Sequence, residues 1–249
     1  MPAAKKGARI IKAPHPWNVT PAEARAIQIT LREKVERKDR LGTVRLVAGA
    51  DVAFFEPERR SWETGSGRAF AAMVVYRFPG MAEVERVWVE CPLGFPYVPG
   101  LLSFREIPAL TEAFLRLRHR PNLVFCDSQG WAHPRRFGLA SHLGVVLKVP
   151  TIGCAKSRLT GSYREPGSRR GSWSPLRDAA SQGSGAGEVI GAVLRTANDV
   201  RPIFVSPGHR VSLRTAIRWV LAVCDGSRIP RPTRDADSLA GAAKRAAAG

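Results

Sequence analysis

Val47-Ala48-Gly49-Ala50-Asp51-Val52-Ala53 is an apolar run interrupted by a single acid, and it lies within a strand-like stretch from Val44 to Phe55. Two further runs of the same character follow, Ala69 to Phe78 and Val84 to Glu90, joined through Pro79 and Gly80 as a hairpin would be. Three such runs in succession predict an antiparallel meander. A carboxylate flanked by core residues is costly to bury alone. Asp51 therefore needs compensation, from a basic partner or from a divalent cation.

Upstream of this stretch, residues 1–19 read as a flexible basic segment. Thr20, Pro21 and Glu23 form a capping box with proline in the first turn, and Ala24, Ile27, Leu31 and Val35 keep helical spacing after it. Downstream, Leu101 to Arg118 predicts a helix with Ile107, Leu110, Phe114 and Leu117 on one stripe. Pro108 is tolerated there only in the first turn, which puts Glu106 near the helix start. Leu123 to Cys126 is a short buried strand closed by Asp127, Phe137 to Leu147 a second helix, and Val149 to Cys154 another strand. That alternation implies parallel pairing in the second half of the sheet. Residues 157–187, rich in Ser, Gly, Arg and Pro, read as a basic surface insertion. Val189 to Leu194 and Ile203 to Val205 return to strand character, and Ser212 caps a helix with Leu213, Ala216, Ile217, Val220 and Leu221 on its inner face. Beyond Gly226 the chain is expected to fray, with a flexible tail over residues 238–249. The class is α/β: a mixed sheet of five or more strands flanked by helices on both faces, in one domain over residues 20–237.

The 249 residues suffice for a well-buried core without disulfides. Lys and Arg number 39 against 21 Asp and Glu, a net charge of +18 that favours a polyanionic partner, nucleic acid first. Some of that charge, on Lys5, Lys6, Arg9, Lys12, Arg169, Arg170, Lys244 and Arg245, lies in the expected tails and insertion, where it also serves solubility. Cys91, Cys126, Cys154 and Cys224 are too scattered for a disulfide framework or a zinc cluster. With no apolar leader and no membrane-length run, the expectation is a monomeric cytoplasmic protein.

Asp51, Glu106 and Asp127 each stand where a strand or helix start holds them rigid. Carboxylates so placed either make local hydrogen bonds or hold magnesium with water and substrate phosphate completing its shell. The residues alone leave both readings open.

A meander followed by a helix and parallel strands, with acids at these places, resembles the ribonuclease H-like nuclease fold. The resemblance narrows at Pro96-Tyr97-Val98-Pro99-Gly100-Leu101-Leu102-Ser103-Phe104-Arg105-Glu106, which is similar to the strand-separating wedge and catalytic helix of endonuclease V. Ala48 to Val52, His133 to His142, Val149 to Lys156 and Gly208 to Val211 extend it, so that it spans about Pro21 to Asp237. The resemblance implies that Asp51, Glu106 and Asp127 bind magnesium, or manganese, for catalysis. It puts His133 near the cleaved phosphate, His209 at the edge of the site and Lys156 facing the scissile phosphate. It makes Tyr97, stiffened by Pro96 and Pro99 with Val98 between, a wedge that stacks where a base has been withdrawn. It also implies a grip on hypoxanthine through backbone groups of Gly100, Leu102 and the residue after Asp127. Other members have glycine at that last position and this chain has Ser128, which can crowd the base or bond to it. His15 and His119 read as solvated surface.

The implied reaction is metal-dependent hydrolysis of the second phosphodiester bond on the 3′ side of a deaminated base in DNA. Two rivals stand beside it: a nuclease of the same fold acting on inosine in RNA or on branched or flapped DNA, and a catalytically idle nucleic-acid-binding module.

Overall fold

Ten residues, Leu46–Phe55, form β1, which pairs antiparallel with β2 (Arg68–Arg77), itself antiparallel to β3 (Ala82–Pro92). The meander expected from the sequence is present. The computed structural model describes residues 11–56, 67–178 and 187–248. On the other side β1 pairs in parallel with β4 (Leu123–Cys126), and β4 in parallel with β5 (Thr151–Ala155). The sheet is completed by β6 (Trp173–Arg177), β7 (Val189–Leu194) and β8 (Ile203–His209), in the order β3-β2-β1-β4-β5-β8-β7-β6.

Parallel pairing ends at β5. β8 is antiparallel to β5, β7 to β8 and β6 to β7. Among the described residues the connections in this part carry no helix, and a parallel crossover needs about a dozen residues or more, usually with one. The 157–187 segment also differs from the expected surface insertion, because it supplies β6 at the sheet edge. Ser174 and Leu176 are buried there, Leu176 in a small core with Ile190, Val193 and Phe204. Alternating burial over five residues was too short a signal to stand out among the polar residues around it. Residues 179–186 lie outside the described residues.

Helices cover both faces. α1 (Pro21–Leu31) starts at the expected capping box, with the Glu23 N–H donating to Thr20 Oγ1 at 3.3 Å and the Thr20 N–H donating to Glu23 Oε2 at 2.7 Å. On one face α2 (Leu102–Arg116) and α3 (Leu139–Leu147) bury Ile107, Leu110, Ala113, Phe114, Ala140 and Leu143 against Ala48, Ala50, Val52, Ala71 and Met73. Pro108 is the seventh residue of α2, deeper than a first-turn proline. A proline there costs about 3 kcal/mol, and the buried stripe on either side of it offsets that cost. On the opposite face α4 (Leu213–Val223), capped by Ser212, and α5 (Arg231–Ala248) cover Val47, Val74, Phe125 and Ile152.

α5 corrects the expectation of a frayed end and flexible tail. It is an 18-residue helix that buries Ala236, Ala240 and Ala243. Alanine at spacings of four and three makes a thin face that fits a closely approaching sheet. Gly49 permits that approach, because a Cβ there would fall 1.8 Å from the Pro232 carbonyl oxygen. The chain before α1 is also placed from Ile11 onward, with Ile11 and Trp17 packed on the core. Among the described residues no helix is long and apolar enough to cross a membrane.

Candidate active site

On β1 the residues Ala48, Ala50 and Val52 face α2 and α3, whereas Val47 faces α4 and α5. Side chains alternate along a strand, so Asp51 points to the side that α5 covers. On β4 Phe125 lies on that same side, and Asp127, two residues on, follows it. The parallel register sets Ala50 beside Cys126, and the next residue of each chain brings Asp51 and Asp127 together. α5 then lowers Asp237 onto the pair. Carboxylate oxygens of Asp51, Asp127 and Asp237 all lie within 4.8 Å of one another.

Three carboxylates this close disfavour full ionisation. Burial, with the charges of Asp127 and Asp237 added, pushes Asp51 up to about 8. Burial raises Asp127 as well, against the pull of Lys156. Glu106 reaches the group from α2 on the other face. It is fully buried, and burial together with Asp51 and Asp127 holds its pKa well above the usual carboxylate range. Glu106 is thus a close electrostatic neighbour but not one of the three mutually adjacent carboxylates. Lys156, just past β5, sets its Nζ 2.5 Å from Asp127 Oδ2 and 3.2 Å from Asp237 Oδ2. Burial opposes its charge, but the two aspartates outweigh burial and raise its pKa.

A cavity of about 470 Å³ opens beside these groups. Asp127, Ser128, Gln129 and Lys156 line one side, and Tyr97, Val98, Pro99, Gly100 and Leu102 the other. Pro96 begins that loop but is not among the lining residues. Tyr97 stands half exposed at the mouth. The loop beneath it is fastened at the Gly100 carbonyl, which accepts from Gln28 Nε2 at 3.0 Å, Arg135 Nη2 at 2.8 Å and His133 Nε2 at 3.0 Å. Gly100 has φ +79°, a left-handed conformation that disfavours any side chain. His133 Nδ1 accepts from the Arg135 N–H at 3.2 Å, so Nε2 carries the ring proton. Burial, then the charge of Arg135, pushes His133 down to about 4, so the ring is neutral and bonded to the wedge loop.

Ser128 is buried at the cavity wall. Its N–H donates to the Cys126 carbonyl at 2.8 Å and its Oγ to the Gln129 carbonyl at 3.3 Å, so the backbone donor expected at this position is engaged within the loop. His209 lies apart from the site. The antiparallel register sets it beside Thr151, at the end of β5 remote from Lys156, and four residues of strand span about 13 Å. There its Nδ1 accepts from the Glu36 N–H at 3.3 Å, and burial, then Arg210, pushes its pKa down to about 4. His15 is not simply solvated, since its Nε2 lies 2.7 Å from His142 Nε2. His119 is exposed as expected and pairs with Glu85.

Sequence reasoning missed Asp237, Gln28 and Arg135. The sign of Asp237 was an acid next to Ala236 in a run with Pro232 in a first turn and alanines at helical spacing. The sign of Gln28 was a polar residue on the apolar stripe of α1.

The endonuclease V family model matches residues 29–238. An endonuclease V of Roseiflexus sp. is 47% identical over 225 residues, covering 90% of this chain and 94% of the relative. One of Trichormus variabilis is 46% identical over 92% of this chain and 98% of its own. Among solved structures, the endonuclease V of Streptomyces avermitilis superposes with a TM-score of 0.82 at 43% identity, covering 97% of this chain and 100% of that one. The Ciona intestinalis endonuclease V, solved in complex with a 24mer DNA containing an inosine followed by a ribo-adenosine, gives 0.74 at 29% identity over 90% and 98% of the two chains. With a family model over most of its length and relatives this similar, the chain belongs to the endonuclease V family of nucleases.

Proposed function

We propose that this protein is a divalent-cation-dependent endonuclease of DNA repair that cuts a strand at the second phosphodiester bond on the 3′ side of a deaminated base, chiefly hypoxanthine, leaving 3′-hydroxyl and 5′-phosphate ends. The observation that carries the reading is the meeting of Asp51, Asp127 and Asp237 at the edge of a cavity whose far wall ends in Tyr97. The donors are all hard oxygens, on the part-buried carboxylates of Asp51 and Asp127, whose pKa values burial raises, and on the exposed carboxylate of Asp237, a set suited to magnesium or manganese and ill suited to softer metals. When bound, such an ion supplies the charge that polarises a phosphodiester and eases deprotonation of the attacking water.

The chain's own groups do the rest. Tyr97 fills the gap an extruded base leaves in the stack. The cavity between Ser128 and Leu102 takes that base, held by groups that the Gly100 clamp keeps in place. Lys156 offers a compact positive charge to the phosphate where negative charge develops. Glu106 supports the aspartates from the opposite face. Inosine as the lesion accords with the DNA bound by the Ciona intestinalis relative.

The test uses end-labelled oligonucleotides of one sequence, with and without a single inosine, as DNA and as RNA. The expected result is one magnesium-dependent cut, two bonds 3′ of inosine, in DNA, abolished by chelator. Cleavage that ignores inosine, or that survives chelation, would refute the reading, and preference for the RNA would reassign the substrate.

A further inference from the structure

We infer that Lys156 is an internal cation that occupies the carboxylate site until substrate phosphate draws it away, so that metal and nucleic acid bind with positive cooperativity. This rests on the metal-dependent reading above. Nζ lies within ion-pair distance of Asp127 Oδ2 and Asp237 Oδ2, and those residues contribute two of the three mutually adjacent carboxylates. A divalent ion there would meet a like charge only a few ångström away, so the ammonium competes with it for the same oxygens.

The geometry also gives Lys156 somewhere to go. Its backbone is fixed, because it follows β5 directly and its carbonyl accepts from Arg228 Nη2 at 2.7 Å. Its side chain is partly exposed and lines the cavity. A four-carbon stem lets the ammonium swing without moving the strand. A phosphate entering the cavity mouth offers the ammonium a new anionic partner, and its departure frees both aspartates. By linkage, whatever phosphate does for metal affinity, metal does for phosphate affinity. In the metal-free protein the same contact relieves part of the repulsion among the acids.

The test measures Mn2+ affinity by titration with detection of the free ion, first alone and then with an inosine-containing phosphorothioate oligonucleotide that resists hydrolysis, after subtracting ion binding by the oligonucleotide itself. Lys156→Met should bind Mn2+ about tenfold more tightly than wild type while cutting substrate more slowly. The oligonucleotide should tighten Mn2+ binding to wild type and leave Lys156→Met nearly unchanged. Lys156→Arg, which keeps the charge, should stay near the wild-type affinity. Melting curves establish that the variants are folded. Equal or weaker Mn2+ binding by Lys156→Met, or undiminished coupling to the oligonucleotide, overturns the inference and leaves the metal reading standing. Absence of Mn2+ binding in all three proteins overturns both.

Discussion

The two walls of the cavity are finished to different degrees. On the wedge side, the Gly100 carbonyl has three side-chain partners, Gln28 donates to both Gly100 and Phe137 while accepting from Arg135, and His133 is neutral and bonded at both nitrogens. On the other side, Asp51, Asp127 and Asp237 crowd together, with Glu106 close by and Lys156 as a bonded cation. The first wall is complete without a ligand. The second crowds three carboxylates around one lysine ammonium, so it either keeps protons or takes up a cation. In the proposed function, recognition is thus preorganised, whereas the chemistry waits on an ion.

The comparison breaks most readily at Asp51. Asp51→Asn should lower magnesium-dependent nicking by on the order of a thousandfold, since a ligand to the charge-stabilising ion is lost. The same change should raise the melting temperature of the chelated protein, because one of three crowded acids no longer has to hold a proton or a charge. A fall in both activity and metal-free stability would mean that Asp51 is a structural residue. Across the cavity the signs should reverse. Gln28→Leu should cost about 1–3 kcal/mol of stability, because Arg135 and two buried carbonyls lose a partner, while metal affinity holds. Unchanged stability in a denaturant titration would show that the clamp carries no load.

Tyr97→Ala sharpens the contrast at the cavity mouth. An aromatic ring stacked on a base contributes roughly 1–3 kcal/mol, so binding or cutting of inosine-containing duplex should fall about tenfold or more, and less in single strands, where little pairing must be broken. Equal losses on duplex and single strand, measured at one salt concentration, would reduce Tyr97 to a support for its loop. The smallest effect is expected at His209, which sits at the other end of β5. His209→Ala should leave the nicking rate within about twofold of wild type. A loss of a hundredfold would restore the place at the site that motif resemblance gave it.

That last residue shows where the sequence was legible and where it was not. Asp51 and Asp127 could be read because each ends or interrupts an apolar run, and runs of that kind have a period of two that fixes which side the acid takes. The meander followed from that strand pattern, and α2 from the helical spacing of Ile107, Leu110, Phe114 and Leu117. Asp237 left only a faint sign, since it is the close approach of α5 over Gly49 that brings it to the other two. Ala-rich, proline-started sequence reads equally as a tail or as a helix, and tertiary packing decides between them. His209 failed in the opposite way: a matching motif gave a residue type and no register, and the antiparallel turn-back of β8 carried the side chain off. β6 was lost because a five-residue edge strand alternates too briefly to outweigh the composition around it.

The crowding of these carboxylates can be measured by following the melting temperature of the chelated protein against pH, with and without magnesium. Asp51 in the folded chain titrates near 8, above its unfolded value, so the stability it contributes is full below the unfolded pKa, about 4, and is lost as pH rises through the folded pKa. Asp127 and Glu106, raised in the same direction, add to that slope. Metal-free protein should therefore weaken as pH climbs from about 4 toward 8, and magnesium should remove most of the loss by binding the ionised carboxylates. A flat pH profile, or a slope that magnesium leaves untouched, would contradict the claim that these aspartates form a cation site.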